Sequence, residues 1–300
     1  MLVGDDGAFH MFASRMTGNC GIGSWLSNSE VVHATSTSPT GAFAVRGVVW
    51  PAWAHEPSVA RAPTGEFVML WTGLPYGGRL PVNGGSTCTT CADGSSPPSC
   101  RTGRNWSVPL PTWMSWTRDP NNSSSWAAPV LIPSVQPLID TNMAGVILLN
   151  GSFVGLWRDN SGRDPGPSAL HRVTARDWRD ATSYVEDAAF QMRGVEDPTV
   201  WADARGGLHV LTHAGCDGVH GFSADGGATW AQAAEPAFGG AVPLAGGGSL
   251  ACRRRERPHA VLDAAGRLVA LTSAFEQAGG GGGGQFGDET FTLSAPVATG

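Results

Sequence analysis

One pattern, met four times, limits what this chain can fold into more than any other feature. It occupies His55–Gly73 (HEPSVARAPTGEFVMLWTG), Asp140–Asn160 (DTNMAGVILLNGSFVGLWRDN), Glu196–Ala214 (EDPTVWADARGGLHVLTHA) and Glu256–Ala274 (ERPHAVLDAAGRLVALTSA). Each copy opens on a polar or charged pair, continues as a short apolar strand, turns at glycine and returns as a second apolar strand. The turn glycines Gly65, Gly151, Gly207 and Gly266 follow the opening residues by ten or eleven positions. Successive copies start 85, 56 and 60 residues apart, a hairpin period that belongs to blades arranged round an axis. Radial repetition makes equivalent positions converge. Polar openings far apart along the chain should therefore become neighbours.

A fifth, partial copy stands at Asp5–Ala13 (DDGAFHMFA), which matches the turn and return strand of the others. Counting back ten or eleven residues from Gly7 puts its opening residue upstream of Met1. The expectation is an all-β, five-bladed β-propeller over residues 1–300, one domain whose first blade lacks its opening strand. Residues 74–106, rich in Cys, Gly and Pro, read as an insertion too long for a plain hairpin. Residues 279–285 read as a flexible Gly-rich loop in the last blade, and Glu289–Leu293 as the final strand.

Composition agrees with this and narrows the partners. The 42 glycines, 21 prolines and 15% charged residues suit short strands joined by tight turns. A net charge of −6, with Arg253–Arg255 the one dense basic run and read as a solvated loop, argues against a nucleic-acid partner. No stretch approaches the roughly 18 apolar residues that span a bilayer. MLVGDD has neither the charged n-region nor the apolar h-region of a signal peptide. The six cysteines read as disulfides stapling loops rather than as free or metal-bound thiols, because Cys88-x-x-Cys91 has no second pair at ligand spacing. Cys216 and Cys252, each close to a blade motif, read as a pair. Four sequons, at Asn105, Asn121, Asn122 and Asn150, agree with a secreted protein. A monomer without cofactor is expected.

Three elements resemble the five-bladed propeller glycosidases of the arabinanase, β-xylosidase and invertase group, glycoside hydrolase family 43 most of all. Ala34–Phe43 (ATSTSPTGAF) looks like that family's outer hairpin, with Ala42 in place of the usual proline. Glu196-Asp197-Pro198-Thr199 and Glu256-Arg257-Pro258-His259 are similar to its blade openings. Separately, Ser223–Trp230 (SADGGATW) matches the Asp box of sialidase-like propellers, a structural turn at a blade's outer edge.

The family 43 resemblance implies a carbohydrate substrate and three axial carboxylates: a general base from blade one, a modulating Asp from blade two and a general acid Glu from blade three. Such a cluster serves hydrolysis because one carboxylate activates water, a protonated acid frees the leaving group, and a third charge keeps that acid protonated. The match is imperfect. The base position falls upstream of Met1, blade two opens on His55-Glu56-Pro57, and blade three opens on Asp140-Thr141-Asn142. With the register moved by one blade, Glu196 becomes the acid and Asp140 the modulator. Glu256, His55 and Arg257 become substrate contacts, joined by Glu56, Asp197, His259, Arg158 and Asn28. No protein ligand set for a metal is expected, although an axial channel of this kind can hold a structural ion such as Ca2+, with His259 reaching it through water. Glu30 could reach sugar hydroxyls, and Trp25, Trp53 and Trp71 are the nominated stacking platforms. The alternative is a non-catalytic glycan-binding propeller, or an inactive remnant of such an enzyme. A true sialidase is disfavoured, since the only tyrosines, Tyr76 and Tyr184, lie in no blade opening.

Overall fold

A computed structural model gives the fold and describes residues 1–17, 25–73, 110–133, 141–159, 169–244, 246–279 and 290–297. Five antiparallel sheets of four strands each form a five-bladed β-propeller. Blade one contains β1 (Leu2–Val3), β2 (Phe9–Met16), β3 (Ser29–Ser36) and β4 (Ala44–Trp50); blade two contains β5 (Ala54–Arg61), β6 (Phe67–Gly73), β7 (Thr112–Thr117) and β8 (Val130–Leu131). Blade three contains β9 (Ala144–Ile147), β10 (Phe153–Asp159), β11 (Ala169–Ala175) and β12 (Tyr184–Arg193). Blade four contains β13 (Glu196–Ala202), β14 (Leu208–Ala214), β15 (Asp217–Ser223) and β16 (Ala231–Gln232); the last holds β17 (Ala241–Pro243), β18 (Ser249–Leu262), β19 (Leu268–Gln277) and β20 (Phe291–Pro296). Among the described residues the one α-helix is the single turn α1 (Trp25–Asn28), and no helix is long and apolar enough to cross a membrane.

Each inner hairpin turns through the same geometry. The glycine that takes the left-handed backbone is Gly7, Gly65, Gly151, Gly206 or Gly266, with φ between 74° and 97°. In each, the glycine N–H donates to the carbonyl three residues earlier, as Gly206 does to Asp203 at 3.0 Å. A side chain there would crowd its own backbone, which is why glycine recurs. The blade-four turn thus uses Gly206 where the sequence suggested Gly207. The correction matters, because every opening pair now lies ten residues before its glycine: His55–Glu56, Thr141–Asn142, Glu196–Asp197 and Glu256–Arg257. The blade-three opening accordingly moves off Asp140, which lies outside the described residues.

Blade one is the exception. Its inner strand is the two-residue β1, which pairs only with Phe9 and His10 of the eight-residue β2.

Apolar faces pack blade against blade, as sheets with one face per neighbour must. Phe12, Val31 and Val49 of blade one meet Phe67, Met69 and Trp71 of blade two. Leu70 and Met114 meet Trp157 and Tyr184, and Leu156 and Leu170 meet Val200 and Val210. Blades four and five are joined differently. The expected Cys216–Cys252 disulfide links them, and Arg255 lies over the Phe238 ring at 3.9 Å, its Nε and Nη1 donating to Ser273 and Gly239. The basic run is therefore strand, not solvated loop: Arg255 is buried and Arg253 pairs with Glu276 at 2.8 Å. The final strand begins two residues later than expected, at Phe291. In the outer half of blade two a 3-10 turn at Ser123–Ser125 precedes β8. The Asp box forms as expected, with Asp225 accepting from the Thr229 and Ser223 hydroxyls and from Thr229 N–H. The 74–106 insertion, all but the first residue of the Gly-rich loop, and Cys20, Cys88, Cys91 and Cys100 lie outside the described residues.

Candidate functional site at the propeller axis

The inner strands enter the axis through a bulge, not through regular pairing. Pairing between inner and second strand slips between His55 and Ser58, between Glu196 and Thr199, and between Glu256 and His259. In blade three β9 starts only at Ala144, while Arg158 N–H donates to Thr141 carbonyl oxygen at 2.7 Å on the far side of the same interruption. Proline follows the bulged residue in three copies, at Pro57, Pro198 and Pro258, where a strand can spare its N–H. The bulged residues take positive φ: Glu56 at 58°, Asn142 at 43°, Asp197 at 55° and Arg257 at 55°. No glycine is present to ease this. Left-handed backbone in L-residues costs about 1–2 kcal/mol each and persists only where the surroundings demand it.

What they demand is one polar network. Asp197 is its hub. Its Oδ1 accepts from the Asn142 amide of blade three; its Oδ2 accepts from the Arg257 backbone N–H of blade five at 3.2 Å and lies 2.9 Å from His213 Nε2 of blade four. Burial by itself would raise the Asp197 carboxyl, but the Arg257 charge and the His213 hydrogen bond outweigh it and hold the group well below the usual carboxylate range. The Arg257 guanidinium crosses to blade two, where it pairs with Glu56 and donates to His55 Nε2 at 3.3 Å. That leaves the His55 proton on Nδ1, 2.6 Å from Ser29 Oγ. Burial, reinforced by Arg257, keeps His55 well below its ordinary pKa, so the imidazole is neutral. Blade one closes the circuit, its Ser14 hydroxyl accepting from Glu56 N–H at 3.0 Å.

Above this floor is a cavity of about 410 Å3, lined on the polar side by His55, Glu56, Asn142, Asp197, Arg257 and His259. Its apolar side comes from Met1, Met11, Phe12 and Met16 around the short opening of blade one, with Phe291 from the last blade. Burial pushes the His259 imidazole down to about 3. No cluster of three or more metal-ligating side chains occurs among the described residues. The residues that line the floor could bind a ligand rich in hydroxyl groups, since they include both donors and acceptors.

The remaining predicted residues sit at different depths. Glu196 does not line the cavity; its carboxylate pairs with Arg158 at 2.6 Å, and its side chain is 33% exposed. Arg158 thus bridges blades three and four. Glu256 pairs with Arg254 at 3.1 Å and also lies outside the lining. Asn28 is buried and donates to Thr17 at 3.3 Å, and Glu30 pairs with Arg15 at 2.6 Å. Of the nominated platforms, Trp71 is core, stacked on Trp50. Trp25 stacks on His55 with ring centres 4.8 Å apart. Trp53 immediately precedes β5, with φ at 78°. Neither Trp25 nor Trp53 lines the cavity.

Two residues central to the network were missed. Asn142 was within reach, since a uniform count of ten back from the turn glycine identifies it. His213 had no local signal, because only the β13–β14 ladder puts it opposite Glu196.

No protein-family model and no curated protein matches the chain. Solved structures do match over nearly its whole length. A GH43_1 enzyme from Xanthomonas citri, complexed with xylose, aligns with a TM-score of 0.61 at 13% identity over 98% of this chain and 84% of its own. A family 117 glycoside hydrolase from Zobellia galactanivorans aligns at 0.60 and 11% identity, covering 98% of this chain and 81% of its own. The α-L-arabinofuranosidase of Podospora anserina, in complex with cellotriose, aligns at 0.58 and 13% identity, covering 98% and 88%. The likeness is one of fold: this chain has the five-bladed architecture on which those hydrolases are built.

Proposed function

We propose that this protein is a glycoside hydrolase-like propeller that takes a plant- or algal-type oligosaccharide, built from arabinose, xylose or fructose, into its axial cavity and acts on a glycosidic bond. The observation that carries the reading is the convergence of Glu56, Asn142, Asp197 and Arg257, from four blades, on the floor of one cavity. Strained, bulged backbone at every one of these positions is the mark of side chains aimed for a purpose. Supporting it, the solved structures with this architecture include glycoside hydrolases, one of them complexed with xylose. In this reading Glu196 is the acid, being the more accessible carboxylate of the blade-four opening. Asp197, held ionised by three donors, supplies the fixed negative charge beside it, the part first given to Asp140. Arg257, His55 and Glu56 contact the sugar, with Glu256 and Arg158 at the rim.

A second reading has a specific observation in its favour. Glu196 is paired with Arg158, and an acid catalyst must hold a proton when substrate arrives, which a guanidinium at hydrogen-bond distance opposes. That favours a glycan-binding propeller without turnover. One experiment separates the two: reducing-end release from arabino-, xylo- and fructo-oligosaccharides, alongside calorimetric binding, for wild type and Glu196→Gln. Turnover lost in the variant supports the hydrolase. Binding without turnover in either protein supports the binder, and neither binding nor turnover removes both.

A further inference from the structure

His213 is almost wholly buried, and both its ring nitrogens have partners. Nδ1 lies 3.2 Å from the Gly215 carbonyl oxygen and Nε2 lies 2.9 Å from Asp197 Oδ2. Each partner is an acceptor. A neutral imidazole has one N–H and one lone pair, so one of these contacts would set lone pair against lone pair. A neutral pair, with the proton on Asp197 Oδ2 aimed at Nε2, would fill the same contacts, but it would put an uncharged carboxyl where the Arg257 backbone N–H, the Asn142 amide and the Arg257 charge all favour a carboxylate.

We propose that His213 is a doubly protonated imidazolium, a buried cation that positions the Asp197 carboxylate at the axis. Charges from three strands enter this balance. Asp197 and Glu196 face it from β13, the latter with Oε1 at 3.9 Å, and Glu256 and Arg257 come from β18. Arg158, on β10, pairs with Glu196 and also acts on Asp197. Burial alone would lower the His213 pKa. The Asp197 hydrogen bond and charge, then Glu196 and Glu256, overcome it and raise the group above its ordinary value. The inference is independent of the ligand. It makes Asp197 a permanent anion, so that a proton donated at this opening comes from elsewhere, and it sets a ceiling on pH. A histidine whose folded pKa is raised contributes its full stability below the unfolded value of about 6.5, and that contribution is lost as pH rises through the folded value.

Long-range proton–nitrogen NMR of the imidazoles in the wild-type protein reads the state directly. The expected result is two protonated nitrogens on His213 at about pH 6.5, with deprotonation only above it. A lone-pair nitrogen on His213 at that pH overturns the proposal. His213→Gln keeps an N–H for Asp197 but carries no charge, so a purely structural role predicts the same pH profile in both proteins. The expected result is a urea midpoint that falls with rising pH through the His213 titration in wild type and stays level in the variant. Parallel profiles overturn the proposal, and should the variant not fold, the wild-type spectrum decides.

Discussion

The two ends of the inner strands adopt the same left-handed backbone for opposite reasons. At the hairpin end the residue is always glycine, at Gly7, Gly65, Gly151, Gly206 and Gly266. At the axial end it never is: Glu56, Asn142, Asp197 and Arg257 stand there. Glycine enters this conformation without steric penalty, so the turn is settled within a few residues. The axial residues take it at a cost, recovered through partners on other blades. A propeller's turns are thus local structure, whereas its axis is a tertiary agreement among chain segments that meet only after folding.

The largest test of that contrast removes the hub. Asp197→Ala leaves Arg257 and His213 facing the axis without their shared acceptor, and should cost about 3–5 kcal/mol in urea unfolding. A loss below about 1 kcal/mol would mean that the bulges are held by something else. Acid should act next. Burial lowers the pKa of His55 and His259 at the axis and of His33 and His220 in the sheets, His33 to about 4 and His259 to about 3. Groups with depressed folded values take up protons on unfolding. Stability should therefore fall as pH drops below about 6.5, by up to about 1.4 kcal/mol per pH unit for each histidine. A melting temperature level between about pH 6.5 and 4 would contradict this.

Smaller effects separate the two ends more finely. At the hairpin end, Gly206→Ala should cost about 1–2 kcal/mol. The added methyl meets no atom within 4 Å, so the whole loss is backbone strain. At the axial end the order reverses. Asn142→Gly and Asn142→Ala both delete the amide that donates to Asp197, yet glycine relieves the strain at φ 43°. The glycine variant should be the more stable by up to about 1 kcal/mol in paired denaturation curves. Greater stability in the alanine variant would show that the bulge is not strained.

Much of this was legible beforehand, and the misses have separate causes. The blades, the Cys216–Cys252 pair and the Asp box each rest on residues close in sequence or on a regular repeat. At blade three, residue type points to Asp140, which looks like the carboxylates of the other openings, whereas constant spacing to the turn glycine points to Thr141–Asn142. Arg253–Arg255 looked solvated because three adjacent charges normally are. Here Arg255 is buried against Phe238, an aromatic from the neighbouring blade. His213 carries no motif, and its importance comes entirely from the strand beside it.

By itself, the sequence determined that hairpins would recur, where each would turn to within one residue, and that their openings would gather at one axis. Turn glycines and alternating apolar strands act over a few residues, and repetition turns those local rules into a global shape. Only the tertiary structure decided which member of each opening pair faces the cavity and which charges meet there. A bulge moves a side chain from one face of a strand to the other, and whether its strain is tolerated depends on partners supplied by other blades.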